Sequence, residues 1–145
     1  EPSKILGLLE DDKIIPDYSM DVSALCTRVP VIDGHTALVY LNFANEVPSL
    51  DEIVKIWSEF TALPQELKLP SAPQPPIEFK VDPDRPQVGL DVDNGKGMAV
   101  SIGRLAEDKF FDIRFVALSH NTVRGAAGGA ILTAELLVEK GYIKG

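Results

Sequence analysis

The chain has 145 residues, a length typical of a single domain. Apolar residues make up 45% and charged residues 25%, which is the composition of a globular protein that can bury a core. The formal net charge of −8, without a basic stripe, argues against nucleic acid as the main partner.

Two further features of the sequence narrow the class of protein. No run approaches 18 consecutive apolar residues, so no membrane-spanning segment is predicted. The one cysteine, Cys26, cannot form an internal disulfide, which fits a reducing compartment, and we expect a cytoplasmic protein. The chain starts at Glu1 rather than at methionine and enters an apolar stretch almost at once. We therefore expect it to be a fragment of a longer polypeptide.

The first third of the chain predicts one helix end and two strands. Residues 3–9 have the character of the last turns of a helix that ends near Gly7. β-branched residues without a helical period predict a strand over residues 21–31. Residues 33–34, Asp-Gly, are a turn signal. The nearly continuous apolar run 35–43 predicts a second strand that is buried on both faces.

The middle of the chain predicts a helix and a long arm. Ser49 and Glu52 have the spacing of a capping box, and helical apolar spacing follows, which predicts a helix over residues 50–61. Residues 64–86 form a proline-rich arm with at most a short edge strand at 77–81. A segment of this length can cover a site, reach a partner or form an ordered surface connection.

The last third predicts a hairpin and a helix. Residues 97–105 and 110–118 read as two antiparallel strands, because the second alternates apolar and charged residues. A final helix follows, with Asn121 or Thr122 as its N-cap and Gly141 as its C-terminal stop. Its glycine-rich start costs roughly 1 kcal/mol per interior glycine relative to alanine. Tight helix–sheet packing explains such a start, and so does close approach of a dinucleotide to a helix N-terminus.

Two side chains in the region of the predicted strands are candidates for chemistry. The planar fork of Arg28 suits a carboxylate or phosphate, although a structural ion pair would also explain an arginine in an apolar strand. His35 suits general acid/base catalysis, and a hydrogen-bonded core histidine is the alternative.

Three other chemically active side chains or runs predict no site. Cys26, among apolar neighbours, reads as a small buried thiol rather than a nucleophile. His120 reads as structural, because nothing pairs with it by spacing. The run 91–97 reads as a tight turn rather than a calcium loop, and no metal site is predicted.

Three segments together carry a resemblance to a known family. "EPSKILG", "RVPVIDGHT" and "SHNTVRGAAGGA" occur in this order, and the chain resembles the C-terminal part of aspartate-semialdehyde dehydrogenases of the archaeal and fungal type. The family pattern has a glutamate and a lysine three residues apart, then an arginine, then a histidine seven residues further on. Glu1, Lys4, Arg28 and His35 keep both spacings.

The resemblance implies roles for five residues. Glu1 would hold the substrate ammonium, Lys4 would help to bind phosphate, and Arg28 would bind the substrate carboxylate. His35 would be the catalytic acid/base, and Asn121 would approach the nicotinamide end of NADP. The implied reaction converts L-aspartate 4-semialdehyde and phosphate to L-4-aspartyl phosphate through a thioester.

The resemblance also implies a fold and a partner. The implied class is α+β, like the C-terminal catalytic and dimerisation domain of glyceraldehyde-3-phosphate dehydrogenases, with a mixed, mostly antiparallel sheet and helices on one face. Residues 1–120 would be the latter part of that domain, and 121–145 would be a C-terminal helix packed on the missing dinucleotide-binding domain. The other face of the sheet would build a homo-oligomer.

The nucleophilic cysteine and most of the NADP site would lie upstream of residue 1, so we expect this chain alone to be inactive. Two alternatives stay open. One is a related acyl reductase, of the malonyl-CoA reductase or N-acetyl-glutamyl-phosphate reductase type. The other is a non-catalytic dimerisation module.

Overall fold

The computed structural model describes residues 2–144, which form two compact units, residues 2–30 and residues 31–144. Within this described range, no helix has both the length and the apolar character needed to cross a membrane.

The first unit contains a short helix and a hairpin rather than the predicted helix over residues 3–9. Its elements are α1 (Pro2–Ile5), β1 (Leu8–Glu10) and β2 (Lys13–Ile15), with β1 and β2 antiparallel. Asp11 and Asp12 connect the strands with φ angles of 47° and 60°, the signature of a type I′ turn. Gly7 lies so close to the Ile15 carbonyl that a Cβ would clash with it. The predicted helix end near Gly7 is therefore confirmed, whereas residues 8–9 of the predicted segment belong to β1, because pairing with β2 outweighs local helical preference.

The predicted strand over residues 21–31 is also wrong. These residues are irregular and exposed. A β-branched segment becomes a strand only when a neighbour accepts and donates its backbone hydrogen bonds. Cys26 is exposed as well, so the predicted buried thiol is wrong for the same reason. Because the segment pairs with no strand, it belongs to no sheet that could bury the Cys26 side chain.

The second unit is built on a four-stranded sheet, which confirms the predicted α+β class. Its strands, in the order β3-β6-β5-β4, are β3 (His35–Leu41), β6 (Ile113–Ser119), β5 (Val100–Glu107) and β4 (Ile77–Lys80). β3 pairs with β6 and β6 with β5 in antiparallel fashion, whereas β4 is parallel to β5. The sheet is therefore mixed and mostly antiparallel, and the predicted hairpin and edge strand are confirmed.

β3 lies at an edge of this sheet, so its predicted burial on both faces is wrong. Leu38 is 70% exposed and Tyr40 is 49% exposed, and the rings of Tyr40 and Phe111 lie 5.4 Å apart on the same open face. An apolar run predicts burial without saying which surface covers it. In residues 31–144 nothing covers this face of β3.

Helix α2 (Leu50–Glu59) packs on the opposite face, and its predicted start is confirmed. The Ser49 Oγ accepts from the Glu52 N–H, and the Glu52 carboxylate accepts from the Ser49 N–H at 2.8 Å, which completes the capping box. Trp57 packs between Phe79 and Phe115, with ring centroids 6.0 and 5.0 Å away. Aromatic contacts of this kind fix a helix against a sheet.

The proline-rich arm is an ordered part of the second unit. It contains α3 (Leu63–Glu66), then β4, and α4 (Val88–Asp91) follows it. Leu69 is buried in a cluster with Met98 and Leu132. Glu135 accepts from the Ser71 N–H at 3.0 Å and from its Oγ at 2.7 Å. The arm is therefore tied to the last helix rather than extended into solvent.

The last helix, α5 (Gly128–Glu139), is preceded by a π-helical turn (Val123–Ala127). Gly141 follows with a φ of +75°, which confirms the predicted stop. A Cβ at Gly128 would clash with the Met98 sulfur, so close packing within the unit explains this glycine. Thr122 is the N-cap residue of this turn, one of the two predicted, but its side chain makes no capping hydrogen bond.

A buried ionic network joins α4 to the sheet. The Asp91 carboxylate, 0% exposed, accepts from Arg85 Nε at 2.7 Å, from the Gln87 N–H at 2.8 Å and from Asn94 Nδ2 at 3.2 Å. Lys80 Nζ lies 3.4 Å away. The Arg85 guanidinium, with help from the Gln87 N–H, holds the pKa of Asp91 well below its usual range.

This network makes acid stability depend on Asp91. A carboxyl group with a lowered folded-state pKa contributes its full stability above its unfolded-state pKa, and loses it as the pH falls below about 4. We expect Asp91→Asn to lower the free energy of unfolding at pH 7 by about 3 kcal/mol and to flatten its fall between about pH 4 and pH 2. Urea unfolding at several pH values measures both effects.

Asp84→Asn is the matched control for Asp91→Asn, because this exposed carboxylate on the same segment accepts one hydrogen bond, from Gln87. It should change stability by less than about 0.5 kcal/mol. Equal effects of the two substitutions would show that the buried network adds nothing specific.

Candidate active site

Strand pairing brings the turn that precedes His35 next to the turn that contains Asn121. His35 is the first residue of β3 and lies opposite Ser119, the last residue of β6. The chain turns at residues 33–34 before β3 and at residues 120–122 after β6. Because the strands are antiparallel, both turns meet at one end of the sheet.

A hydrogen bond joins the two turns directly. The Gly34 N–H donates to Asn121 Oδ1 at 2.8 Å, and the Thr122 hydroxyl donates to Asp33 Oδ1 at 3.2 Å. A backbone N–H can only donate, so the oxygen of the Asn121 amide must face Gly34. The Nδ2 group of Asn121 takes no part in this hydrogen bond and carries two N–H donors.

Gly34 is required at this turn. Its φ of +105° is accessible to glycine but not to ordinary side chains. A Cβ there would also approach the Leu118 and Val88 side chains to 3.3 Å. The close approach lets the Gly34 N–H reach Asn121, and His35 follows immediately in the chain.

His35 itself is exposed at the edge of the sheet. The alternative of a buried, hydrogen-bonded core histidine is therefore wrong. An exposed imidazole is accessible to a reacting group and can serve as a general acid or base. In the neighbouring turn, Asn121 offers amide donors to a carbonyl group. This end of the sheet therefore contains one group that can transfer a proton and one that can orient a polar ligand.

His120 belongs to the same turn, although sequence reasoning found no partner for it. It is buried, and its Nδ1 accepts from the N–H groups of Thr122 and Val123, each at 3.3 Å. These partners are backbone groups, which every residue possesses. The only sequence signal was therefore the polar run "SHNT" between a strand and a glycine-rich helix.

The other predicted site residues fall in the first unit or outside the described residues. Lys4 lies in α1 and is exposed, and Arg28 is exposed in the irregular segment that ends this unit. Within residues 2–30, Arg28 has no ion-pair partner, which disfavours a local structural ion pair. Glu1 lies outside the described residues.

Comparison with known proteins identifies the family. The family model described as "Semialdehyde dehydrogenase, dimerisation domain" matches residues 1–124. A curated aspartate-semialdehyde dehydrogenase from Aspergillus fumigatus is 49% identical over 99% of the chain. Its counterpart from Methanothermobacter thermautotrophicus is 45% identical over 96%. These relatives are fungal and archaeal, as the sequence resemblance predicted.

Solved structures give the same result. The chain matches aspartate-semialdehyde dehydrogenase with NADP from Candida albicans with a TM-score of 0.87 and 44% identity, over 97% of this chain and 41% of that chain. It matches the second such enzyme of Vibrio cholerae with a TM-score of 0.60 and 25% identity, over 77% and 29%. The chain spans about 40% of the length of the curated relatives that it matches.

Two substitutions test the hydrogen bond from the Gly34 N–H to the Asn121 oxygen. Asn121→Asp keeps an oxygen that accepts from Gly34, whereas Asn121→Leu removes it. We expect hydrogen exchange at the Gly34 amide to stay slow in the Asp variant and to accelerate about fivefold in the Leu variant, because a hydrogen bond contributes about 1 kcal/mol. Amide exchange measured by NMR decides this. Equally fast exchange in both variants would contradict the assigned contact.

Proposed function

The chain belongs to the semialdehyde dehydrogenase dimerisation-domain family, and we propose that it is the C-terminal part of an NADP-dependent aspartate-semialdehyde dehydrogenase. The proposed reaction converts L-aspartate 4-semialdehyde and phosphate reversibly to L-4-aspartyl phosphate. The observation that supports it best is the hydrogen bond between Gly34, which precedes the exposed His35, and the Asn121 amide at one end of the sheet.

His35 acts as general acid/base in this proposal. The thioester forms on a cysteine that a preceding part of the polypeptide supplies. His35 accepts the thiol proton as the sulfur attacks the aldehyde, and returns a proton when the product is released. Its exposure at the edge of the sheet leaves the ring accessible to such a neighbour.

The polar groups of the substrate need three further residues. The bidentate fork of Arg28 binds the substrate carboxylate, Glu1 binds the ammonium group and Lys4 contributes a positive charge to the phosphate site. Arg28 and Lys4 are exposed within the first unit, so both side chains are accessible to a ligand. These three assignments rest on the family pattern of spacings.

The residues present fit a nicotinamide cofactor at one point. The Gly34 N–H occupies the Asn121 oxygen, which leaves the Nδ2 donors for a ligand, and such donors suit the carboxamide oxygen of a nicotinamide. When bound, NADP accepts the hydride that the oxidation of the aldehyde releases. Most of its binding site lies outside this chain in the proposal, so the chain by itself is inactive.

Two exposed apolar surfaces of the second unit are suited to packing against other parts of the proposed enzyme. The face of the sheet that α2 leaves uncovered carries Leu38, Tyr40 and Phe111, which are 70%, 49% and 42% exposed. We assign this face to a homodimer. On α5, Ile131 and Val138 are 55% and 54% exposed, and we assign this surface to the dinucleotide-binding part. The intact enzyme would be a cytoplasmic homo-oligomer.

The acid/base role predicts a large loss of turnover. In a full-length protein that contains this chain, we expect His35→Asn to lower kcat by roughly 10²–10⁴-fold, because the proton acceptor is lost while shape is nearly kept. Phosphate-dependent reduction of NADP by aspartate semialdehyde measures it.

Thr133→Ala, an exposed change on α5, is the control for His35→Asn and should keep wild-type kcat. Near-normal turnover of His35→Asn would remove His35 from the mechanism. Activity of the wild type with malonyl-CoA, but none with aspartate semialdehyde, would replace the proposed substrate by that of a related acyl reductase.

The dimer face predicts a change of oligomeric state. We expect Leu38→Asp to shift the full-length protein from dimer toward monomer by at least about tenfold in dissociation constant, because a charge would be buried without a partner. Ile56→Asp is the matched control, since Ile56 is 59% exposed on α2. Sedimentation velocity measures both. An unchanged dimer in Leu38→Asp would place the interface elsewhere.

A further inference from the structure

His120 occupies a central position beside the candidate site. It is 6% exposed and lies directly before Asn121 in the chain. Its ring contacts the loop that precedes β5: a Cβ placed on Gly97 would lie 2.9 Å from His120 Cδ2. Gly97 has a φ of +77°, so both its conformation and the space around it exclude other residues. The imidazole is therefore fixed from this side by the backbone.

The hydrogen bonds of His120 define its tautomer. The N–H groups of Thr122 and Val123 both donate to Nδ1, so this nitrogen carries no proton in the folded protein. The proton is then on Nε2, which lies 3.8 Å from Asp93 Oδ1. His120 thus does what an N-cap side chain does, because it satisfies two backbone donors at the start of a helical segment.

His120 caps the turn at residues 120–122, and this turn is hydrogen-bonded to residues 33–34. The same short segment carries the Asn121 and Thr122 side chains. Asn121 accepts from the Gly34 N–H, and the Thr122 hydroxyl donates to Asp33. If the N–H groups of Thr122 and Val123 lost their acceptor, the turn would have to rotate to find another. Rotation would move the Asn121 amide and loosen the turn before His35.

We propose that His120 is a positioning residue, which sets the orientation of Asn121 and, through Gly34, the placement of His35. The inference rests on the proposed function for its kinetic consequences. The contacts that support it involve residues 33–35, 93, 97 and 119–123, which all belong to the second unit. His120 touches no reacting group in this proposal and acts through its neighbours.

A matched pair of substitutions separates the hydrogen bond from the volume of the ring. His120→Asn places an oxygen near the position of Nδ1 and can cap the same N–H groups. His120→Leu fills similar space without an acceptor. Leu132→Val, which trims a buried side chain of α5, is the control for a general loss of stability.

In the full-length protein we expect His120→Leu to lower kcat/KM for NADP about 10- to 100-fold, the usual cost of a catalytic group displaced by about 1 Å. His120→Asn should stay within about threefold of wild type. Leu132→Val should lower the melting temperature without raising KM for NADP. Equal kinetics for the Leu and Asn variants would overturn the proposal, and so would a KM in Leu132→Val that rises as much as in His120→Leu.

A second readout does not depend on activity. We expect the ¹⁵N resonance of His120 Nδ1 to be that of an unprotonated ring nitrogen, and exchange at the Gly34 amide to accelerate in His120→Leu but not in His120→Asn. Unchanged Gly34 exchange in His120→Leu would overturn the positioning role. If the wild type oxidised no aspartate semialdehyde but these signals behaved as expected, the proposed function would fail while the positioning contact would stand.

Discussion

The hydrogen bond from the Gly34 N–H to Asn121 Oδ1 joins segments that are 87 residues apart in the chain. It closes one end of the antiparallel pair β3–β6, where a histidine and an amide come together. The bond orients the Asn121 amide, because the amide oxygen must face the Gly34 N–H. It also holds the turn before His35, where the φ of Gly34 is one that ordinary side chains do not adopt. The chemistry proposed for the site follows from this geometry.

Around that bond, the unit uses buried polar groups as structural supports. Asp91 draws Arg85, Lys80 and the Gln87 N–H to one carboxylate, and Asn94 links it to Ser101 on β5. A charge buried to this degree would be costly without so many partners. His120 has the same character on a smaller scale, as a polar ring buried against two backbone donors. Together they hold the loops before β5 and before α5 against the sheet.

Other parts of the chain leave apolar groups in contact with solvent. The open face of β3, the outer surface of α5 and the exposed residues 21–30 are not covered within their own units. A sheet face or an apolar helix of this kind normally packs against another layer. In the proposed enzyme, a second subunit and the dinucleotide-binding part provide those layers. The proposed function therefore supplies a neighbour for the apolar surfaces of the second unit.

Local patterns were predicted well because neighbouring residues decide them. The capping box at Ser49, the hairpin β5–β6 and the stop at Gly141 each depend on a few adjacent residues, and all three are present. The motif spacing from Lys4 to His35 likewise identified the family before any fold was known. His35 was already a candidate from its residue type, whereas the cofactor role of Asn121 came from that resemblance alone.

Contacts between distant segments were predicted poorly, because no short pattern records them. The sequence by itself determined the family, the class of fold and the identity of the candidate residues, since these depend on residue type and spacing. Only the tertiary structure decided that β3 lies at an edge, that residues 21–31 form no strand, and that His120 caps the turn that holds Gly34. All three depend on hydrogen bonds made by backbone groups, either with a distant strand or, for His120, with nearby N–H groups. Every residue has such groups, so the sequence of side chains does not show which of them will be bonded.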